Sequence, residues 1–280
     1  MIAILFMGMS FNKAIIFTKK ADSKAKSVAN EVQDFLQKRS IEVLFEAQKA
    51  DLAVVIGGDG SFLGAVRELN NAIKKDEELP LLLGIHTGSL GFLTECTLDG
   101  WKASLEKGLQ NGFNIETRSM LDVCVEGNEA IYTVLNDLVI NRNDVARMIE
   151  FDIYCNDEFV SSTKADGVVV STPTGSTAYS LAAGGPIMHP SIPAFVITPI
   201  CPHTLTNRPI VVSDSAQVQI KVKTDTDDIL ITLDGQKAIC CGKGRLITAS
   251  KSTRYLKLAR PNDTTYFNIL RNKLSFGRRG

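Results

Sequence analysis

The sequence changes its period near Gly112, and this change limits the fold more than any other feature. Before it, apolar runs of strand length alternate with stretches of helical spacing. KAIIF (13–17), IEVLF (41–45), LAVVI (52–56) and LLLGI (81–85) read as strands, and residues 22–39 set Ala25, Val28, Val32, Phe35 and Leu36 on one helical face. A second helix is expected over 61–73, starting at Ser61, and an amphipathic stretch over 97–110 holds the single tryptophan, Trp101. Strands that alternate with helices imply a parallel sheet with helices on its faces. After Gly112, short β-rich runs follow closely: 120–126, 131–141, 146–154, 158–163, 167–171, 195–200, 209–213, 217–223, 228–233, 237–241 and 245–249. Turn signals such as EGN, CND, TDTDD and LDGQ separate them, an all-β antiparallel pattern. One helix, 176–183, interrupts it and stops at Gly184-Gly185-Pro186. The expected organisation is an α/β domain over 1–115 and a β-rich domain over 116–263, with a helical tail, 264–280, returning to the first.

Composition narrows the class of partner. Apolar residues make up 44% and charged residues 22%, as in ordinary globular chains. Lys+Arg and Asp+Glu each number 31, a balance that argues against a broad nucleic-acid or membrane-surface footprint. The apolar start MIAILFMGMS has no basic n-region and is about half the length a membrane span needs. None of the six cysteines forms a C-x-x-C pair, so reduced structural thiols and a cytoplasmic setting are expected.

Two stretches carry chemistry. In VVIGGDGSFLGA (54–65) an apolar strand stops at Gly57-Gly58, and Gly60 follows Asp59. A glycine turn between strand and helix presents backbone N–H groups and a helix N-terminus to an anion, which makes Gly57, Gly58 and Gly60 phosphate-binding candidates. The turn is neither a dinucleotide fingerprint, since the third glycine is displaced to Gly64, nor a Walker A loop, since no G-K-[ST] follows. Asp59 would repel a bare polyanion. It suits a phosphate that arrives with Mg²⁺, or a hydroxyl that must lose a proton; the alternative is a cap for the helix at Ser61. The second stretch, TKADGVVVSTPTGSTAYSLAAGGPI (163–187), puts the hydroxyls of Thr172, Thr174, Ser176 and Thr177 at a helix start, either as a phosphate site or as an ordinary cap. Asn136 and Asp137 interrupt the apolar strand of LNDLVINR, where an amide beside a carboxylate can grip the two hydroxyls of a ribose or simply form a bulge. His86, His189 and His203 share no ligand spacing.

Together GGDGSFL, GIHTGSLGFLTE, LNDLVI, ARMIEFDIY, ADGVVVSTPTGSTAYSLAAGGPI, PICPHTLTNRPIVV and LDGQ resemble bacterial NAD kinases, in the family's order and over about residues 13–275. The resemblance implies a Rossmann-like N-terminal α/β domain and a β-sandwich-like C-terminal domain. It implies transfer of the ATP γ-phosphate to the adenosine-ribose 2′-hydroxyl of NAD, with a divalent metal such as Mg²⁺, to give NADP, in a homodimer or homotetramer. By motif, Asp59 matches the catalytic aspartate. Gly60, Phe62, Asn136, Asp137, Lys164, Asp166, Thr174, Thr177, Ala178, Tyr179, Ala182 and Gln236 fall at NAD-binding positions, and Arg147 at the basic position near the new phosphate. Ser61 stands for the family's Thr, Asp137 for a frequent Glu, Ala182 for a common Ser and His86 for a usual Asn. A lipid kinase sharing the GGDG turn and a non-catalytic dinucleotide sensor are the competing readings. TPTGSTAY with LNDLVI provides a polar nucleotide site and opposes the first, and the presence of Asp59 opposes the second.

Overall fold

The computed structural model describes residues 11–19, 22–142, 148–204, 206–226, 228–242, 244–261 and 265–275. The opening ten residues and Arg147 lie outside this set. The chain divides into two compact units, one made of residues up to Thr117 together with those from Leu256 onward, the other of Arg118–Tyr255.

The first unit is built on parallel strands. β1 (Lys13–Thr18), β2 (Glu42–Leu44), β3 (Leu52–Ile56) and β4 (Leu81–Ile85) lie in the order β2-β1-β3-β4, and the stretch Leu256–Arg260 pairs parallel with β4 at Leu258↔Leu82 and Ala259↔Leu83. Helix α1 (Ser23–Gln37) starts where Asp22 accepts the Ala25 N–H at 3.0 Å, a side-chain N-cap. Ala25, Val28, Val32 and Leu36 of α1 share one core with Val54, Ile56 and Leu83 of the sheet, and with Trp101 and Leu105 of α3 (Trp101–Asn111). Ala53 and Val55 on the opposite face of β3 are also fully buried, so both faces are covered. Helix α2 (Asp59–Ala72) contributes Phe62, Val66 and Leu69 to the interior.

The second unit is a two-sheet β-sandwich. β5 (Asn114–Val125), β6 (Ile131–Val134), β8 (Ile149–Cys155), β9 (Glu158–Ala165) and β13 (Val218–Val222) belong to one sheet, with β16 (Leu246–Arg260) pairing β13. The other is antiparallel, ordered β12-β11-β10-β7-β14-β15, from β7 (Asp137–Arg142), β10 (Gly167–Ser171), β11 (Ala194–Ile200), β12 (Ile210–Ser213), β14 (Ile229–Leu233) and β15 (Lys237–Cys241). Leu138, Ile140, Val168 and Val170 from this sheet meet Phe151, Ile153, Ile220 and Ile247 from the first in one dry core. A single-turn α4 (Tyr179–Ala182) follows β10, and α5 (Tyr266–Leu274) returns Tyr266, Ile269 and Leu270 to the interior of the first unit.

The two-domain class expected from the sequence holds, with four local differences. The run 131–141 is two strands, broken at Leu135-Asn136. β16 starts at Leu246, as expected, but extends eleven residues beyond the expected end at 249, to Arg260, because Ser252 and Arg254 occupy buried positions and mask its period of two. β5 begins at Asn114, with Arg118 buried inside it. The expected helix 176–183 is only a 3₁₀ turn, Gly175–Thr177, and the short α4. All six cysteines are free thiols, and among the described residues no helix is long and apolar enough to cross a membrane.

Candidate functional site

The candidate residues form one group in each unit. In the first, α2 begins at Asp59, two residues before the expected start, and its N-cap is Gly58 with no side-chain cap. Asp59 therefore does not cap the helix. Gly57 is buried and its N–H donates to Ile85 O at 2.9 Å, so this amide completes the sheet and is not offered to an anion. A Cβ on Gly57 would lie 2.4 Å from Ser61 Oγ, which explains the glycine by close approach. Gly58 and Gly60 are exposed at an uncapped N-terminus of a 14-residue helix, where backbone N–H groups and the helix dipole favour negative charge. Phe62 is fully buried and serves the packing of α2; no part of it reaches the surface.

The Asp59 carboxylate is held by the loop that follows β4. Its Oδ1 accepts the Leu93 N–H at 3.0 Å, the Thr94 N–H at 3.2 Å and the Thr94 hydroxyl at 3.2 Å; its Oδ2 accepts the Phe92 N–H at 2.9 Å. Gly91 permits this approach, since a Cβ there would lie 2.0 Å from Asp59 Oδ1. Oδ1 is saturated, while Oδ2 has one donor and keeps a lone pair for a further hydroxyl. The segment GSLGFLTE thus orients the acid of GGDG.

In the second unit three segments converge at one end of the sandwich. β7 starts at Asp137 opposite Ser171, where β10 ends, and Leu138 pairs with Leu233, where β14 ends. The 135–137 break, the TPTGST turn and the DGQ turn therefore emerge together. The hydroxyls expected to face a ligand largely turn inward. Thr172 Oγ1 donates to Leu135 O at 2.6 Å, Ser176 Oγ to Pro173 O at 2.7 Å, and Thr177 Oγ1 to Thr174 O at 3.2 Å, while the buried Arg118 donates to Thr174 Oγ1 at 3.4 Å. They build the turn; they do not form a hydroxyl-lined phosphate cradle, and the one-turn α4 adds no helix-end site. Thr177, Ala178, Tyr179 and Ala182 remain at least partly accessible, and Gln236 is exposed on the neighbouring turn.

The break itself has complete backbone accounting. Asp234 Oδ2 accepts the Leu135 N–H at 3.1 Å, and Asp234 Oδ1 accepts those of Asn136 at 2.7 Å and Asp137 at 3.2 Å. The Asp234 N–H returns a bond to Asp137 O at 3.0 Å, and the Thr172 N–H donates to Asn136 O at 2.9 Å. Gly175 lies against this segment so closely that a Cβ would fall 2.2 Å from Asn136 O. Against this closed frame, Asn136 Oδ1 is buried without a partner, an open acceptor in a residue only 9% exposed.

Burial, and then the negative charge of Asp234, push the Asp137 carboxyl up to about 7. A carboxyl that holds its proton more tightly in the folded state loses stability as pH rises from its unfolded value near 4 to about 7, and the loss is complete above that. Asp137→Asn removes this loss. Its melting temperature relative to wild type is expected to climb between pH 4 and pH 7 and then level off; parallel profiles in a thermal scan would contradict the assignment.

Lys164 and Asp166 are exposed at the other end of β10, where Gly167 pairs with Asn141. Within one chain Asp166 lies about 17 Å along the strand direction from Ser171, the partner of Asp137, at ~3.4 Å per residue, and Lys164 lies beyond it on β9. His86 Nδ1 contacts Gly88 O at 2.8 Å and His189 Nδ1 contacts Ser191 Oγ at 2.7 Å; the histidines form no cluster. Among the described residues no three His, Cys, Asp or Glu side chains converge on a metal position, and the Asp59 carboxylate faces hydrogen-bond donors. These side chains do not fit a protein-held resident metal. Sequence reasoning missed Asp234 and Arg118. The LDGQ turn signal pointed to Asp234's location, and nothing in the pattern marked Arg118 as buried.

Family models match both parts of the chain: the ATP-NAD kinase N-terminal domain over residues 45–113 and the ATP-NAD kinase C-terminal domain over 135–261. The chain is 40% identical over 287 residues to the NAD kinase of Geobacter metallireducens, covering 95% of this chain and 99% of that protein. It is 38% identical over 288 residues to that of Magnetococcus marinus, covering 94% and 93%. Among solved structures it is similar to yeast NADH kinase complexed with NADH (TM-score 0.89, 22% identity, 97% and 89% covered). It is also similar to the Archaeoglobus fulgidus NAD kinase in complex with ATP (TM-score 0.77, 24% identity, 95% and 100% covered). At these identities the two structures speak for the fold.

Proposed function

This chain belongs to the ATP-NAD kinase family, and from its NAD kinase activity we propose a division of labour among its residues. The γ-phosphoryl group of ATP passes to the 2′-hydroxyl of the adenosine ribose of NAD with cleavage of its bond to the β-phosphate oxygen, giving NADP and ADP. Asp59 takes the proton of that hydroxyl on Oδ2, the oxygen with a spare lone pair. Asn136 Oδ1 and the Asp137 carboxylate accept from ribose hydroxyls. The N-terminus of α2, at Gly58 and Gly60, faces phosphate. The divalent cation enters with the nucleotide, as MgATP; among the described residues no three His, Cys, Asp or Glu side chains are set as a metal cage. Thr177, Ala178, Tyr179 and Gln236 line the nucleotide at the sandwich end, Lys164 and Asp166 contact it from where β9 leads into β10, and Arg147 is assigned to the new phosphate by its place in the sequence. A cytoplasmic homodimer or homotetramer completes the proposal.

The observation that carries this reading is the buried, unpartnered Asn136 Oδ1 in a segment whose backbone groups are all satisfied. Such a frame holds one acceptor ready for a donor that the protein itself does not supply. The test is purified protein with ATP, Mg²⁺ and NAD, coupled to an NADP-specific dehydrogenase; folded protein giving no signal over a protein-free control overturns the reading. Asn136→Ala leaves a ribose hydroxyl unpaired and is expected to cost about 1–3 kcal/mol in kcat/KM for NAD, with the fold retained. Unchanged kinetics with lowered stability would reduce Asn136 to a structural group.

A further inference from the structure

We propose that Asp234 is the positioning residue of the Asn136–Asp137 pair, a carboxylate clamp that fixes the ribose-holding side chains from the turn between β14 and β15. The inference rests on the ribose role proposed above and adds a residue to which that reading gives no part.

Three observations carry it. First, Asp234 spends both carboxylate oxygens on three consecutive N–H groups, Leu135, Asn136 and Asp137, at 2.7–3.2 Å. The first two amides sit in the gap between β6 and β7 and the third at the first residue of β7, all in buried residues, so without the clamp they would be buried donors lacking these partners. Second, the carboxylate is delivered by rigid backbone. Asp234 and Gly235 both take the left-handed conformation (φ 51° and 63°), as in a type I′ turn, and the Gln236 N–H closes the turn on Leu233 O at 3.0 Å. The Asp234 N–H also bonds Asp137 O, so turn and break are joined in both directions. Third, the carbonyl side of the same break is gripped by Thr172 and crowded by Gly175. With both edges held, the Asn136 amide oxygen stays buried without a partner.

The clamp has an electrical consequence. Asp234 places a negative charge beside the Asp137 carboxyl, and with burial it disfavours ionisation there. On the opposite side β10 presents Ser171, which is uncharged. An ionised Asp137 accepts hydroxyl donors better than a protonated one, so NAD use should fall away on the acid side as Asp137 takes up its proton. Removing the Asp234 charge lets Asp137 stay ionised to lower pH, and the acid limb moves to lower pH.

Asn at 234 tolerates the left-handed backbone and retains one oxygen acceptor; Gly keeps the turn and removes the clamp entirely. Asp234→Asn is expected to raise KM for NAD roughly five- to a hundredfold, the range for one buried donor left unpaired, with kcat changed far less. Asp234→Gly should raise KM further, and the acid limb of the kcat/KM profile should shift to lower pH in Asp234→Asn. Wild-type turnover is measured alongside, because a wild type without activity would overturn the NAD kinase assignment and not the clamp. An active wild type whose Asp234→Asn partner keeps KM within twofold and an unmoved acid limb overturns the proposal. So does failure of both variants to give folded protein, which would make Asp234 a folding element of the turn.

Discussion

Asp59→Asn is expected to lower kcat by at least ~10²-fold, the range general-base assistance supplies, while raising KM for NAD much less. The geometry makes this substitution a stringent comparison. An Asn oxygen in the Oδ1 position still accepts from Leu93, Thr94 and the Thr94 hydroxyl, but its NH₂ would face the Phe92 N–H, donor against donor. A local cost of about 1–3 kcal/mol in the 91–94 loop is therefore expected, which a helix cap would not have predicted. The two effects separate in the readouts: the loop cost appears as a lower melting temperature, the lost base as lower kcat at saturating ATP and NAD. A variant that melts lower yet turns over within a few-fold of wild type would make Asp59 a strut for the loop and remove it from the chemistry.

Gly175→Ala is expected to be the most destabilising single methyl in the second unit. The new Cβ would sit 2.2 Å from Asn136 O and 2.7 Å from its Cα, and these are backbone atoms, not the end of a flexible side chain that could yield. Overpacking against fixed atoms puts the cost at the upper end of its usual range, about 3 kcal/mol, or roughly 6–12 °C in melting temperature. Gly58→Ala is the matched control. Gly58 has φ −100°, and a Cβ there meets nothing within 4 Å, so the expected loss is only that of Ala at a helix N-cap, about 1 kcal/mol or roughly 2–4 °C. Equal melting shifts for the two variants would show that the close contact at Gly175 does not set the geometry of the turn.

What could be read in advance followed from periodicity. β1, β3, β4, β10 and β14 are short apolar runs bounded by turns, and α1 and α2 carry clear apolar stripes, so their position and type were visible. The failures have physical causes. The break at Leu135-Asn136 hides inside an apolar run, because its irregular backbone is satisfied by Asp234 and Thr172, far away in sequence. The β16 extension hides because Ser252 and Arg254 point inward. At the candidate site, residue types showed which segments matter but not which way they face. Thr172, Ser176 and Thr177 turn their hydroxyls onto their own loop, and Gly57 gives its amide to Ile85, while Asn136 offers an open oxygen.

The pairing of Leu258 with Leu82 sets an order of assembly during synthesis. The ribosome releases the strands of the first unit early, and Cys96 pairs with Ile85 soon after, yet the Leu82–Leu83 part of the β4 edge stays unpaired until residues 256–260 emerge. The whole stretch Arg118–Tyr255 appears before that and can complete its sandwich first. For that interval the nascent chain carries the first half of LLLGI as an unpaired, apolar strand edge, the kind that recruits other chains. Any slowing of translation between these points lengthens the exposure, so the yield of native protein should depend on how fast the ribosome crosses the second unit as well as on the stability of the finished fold.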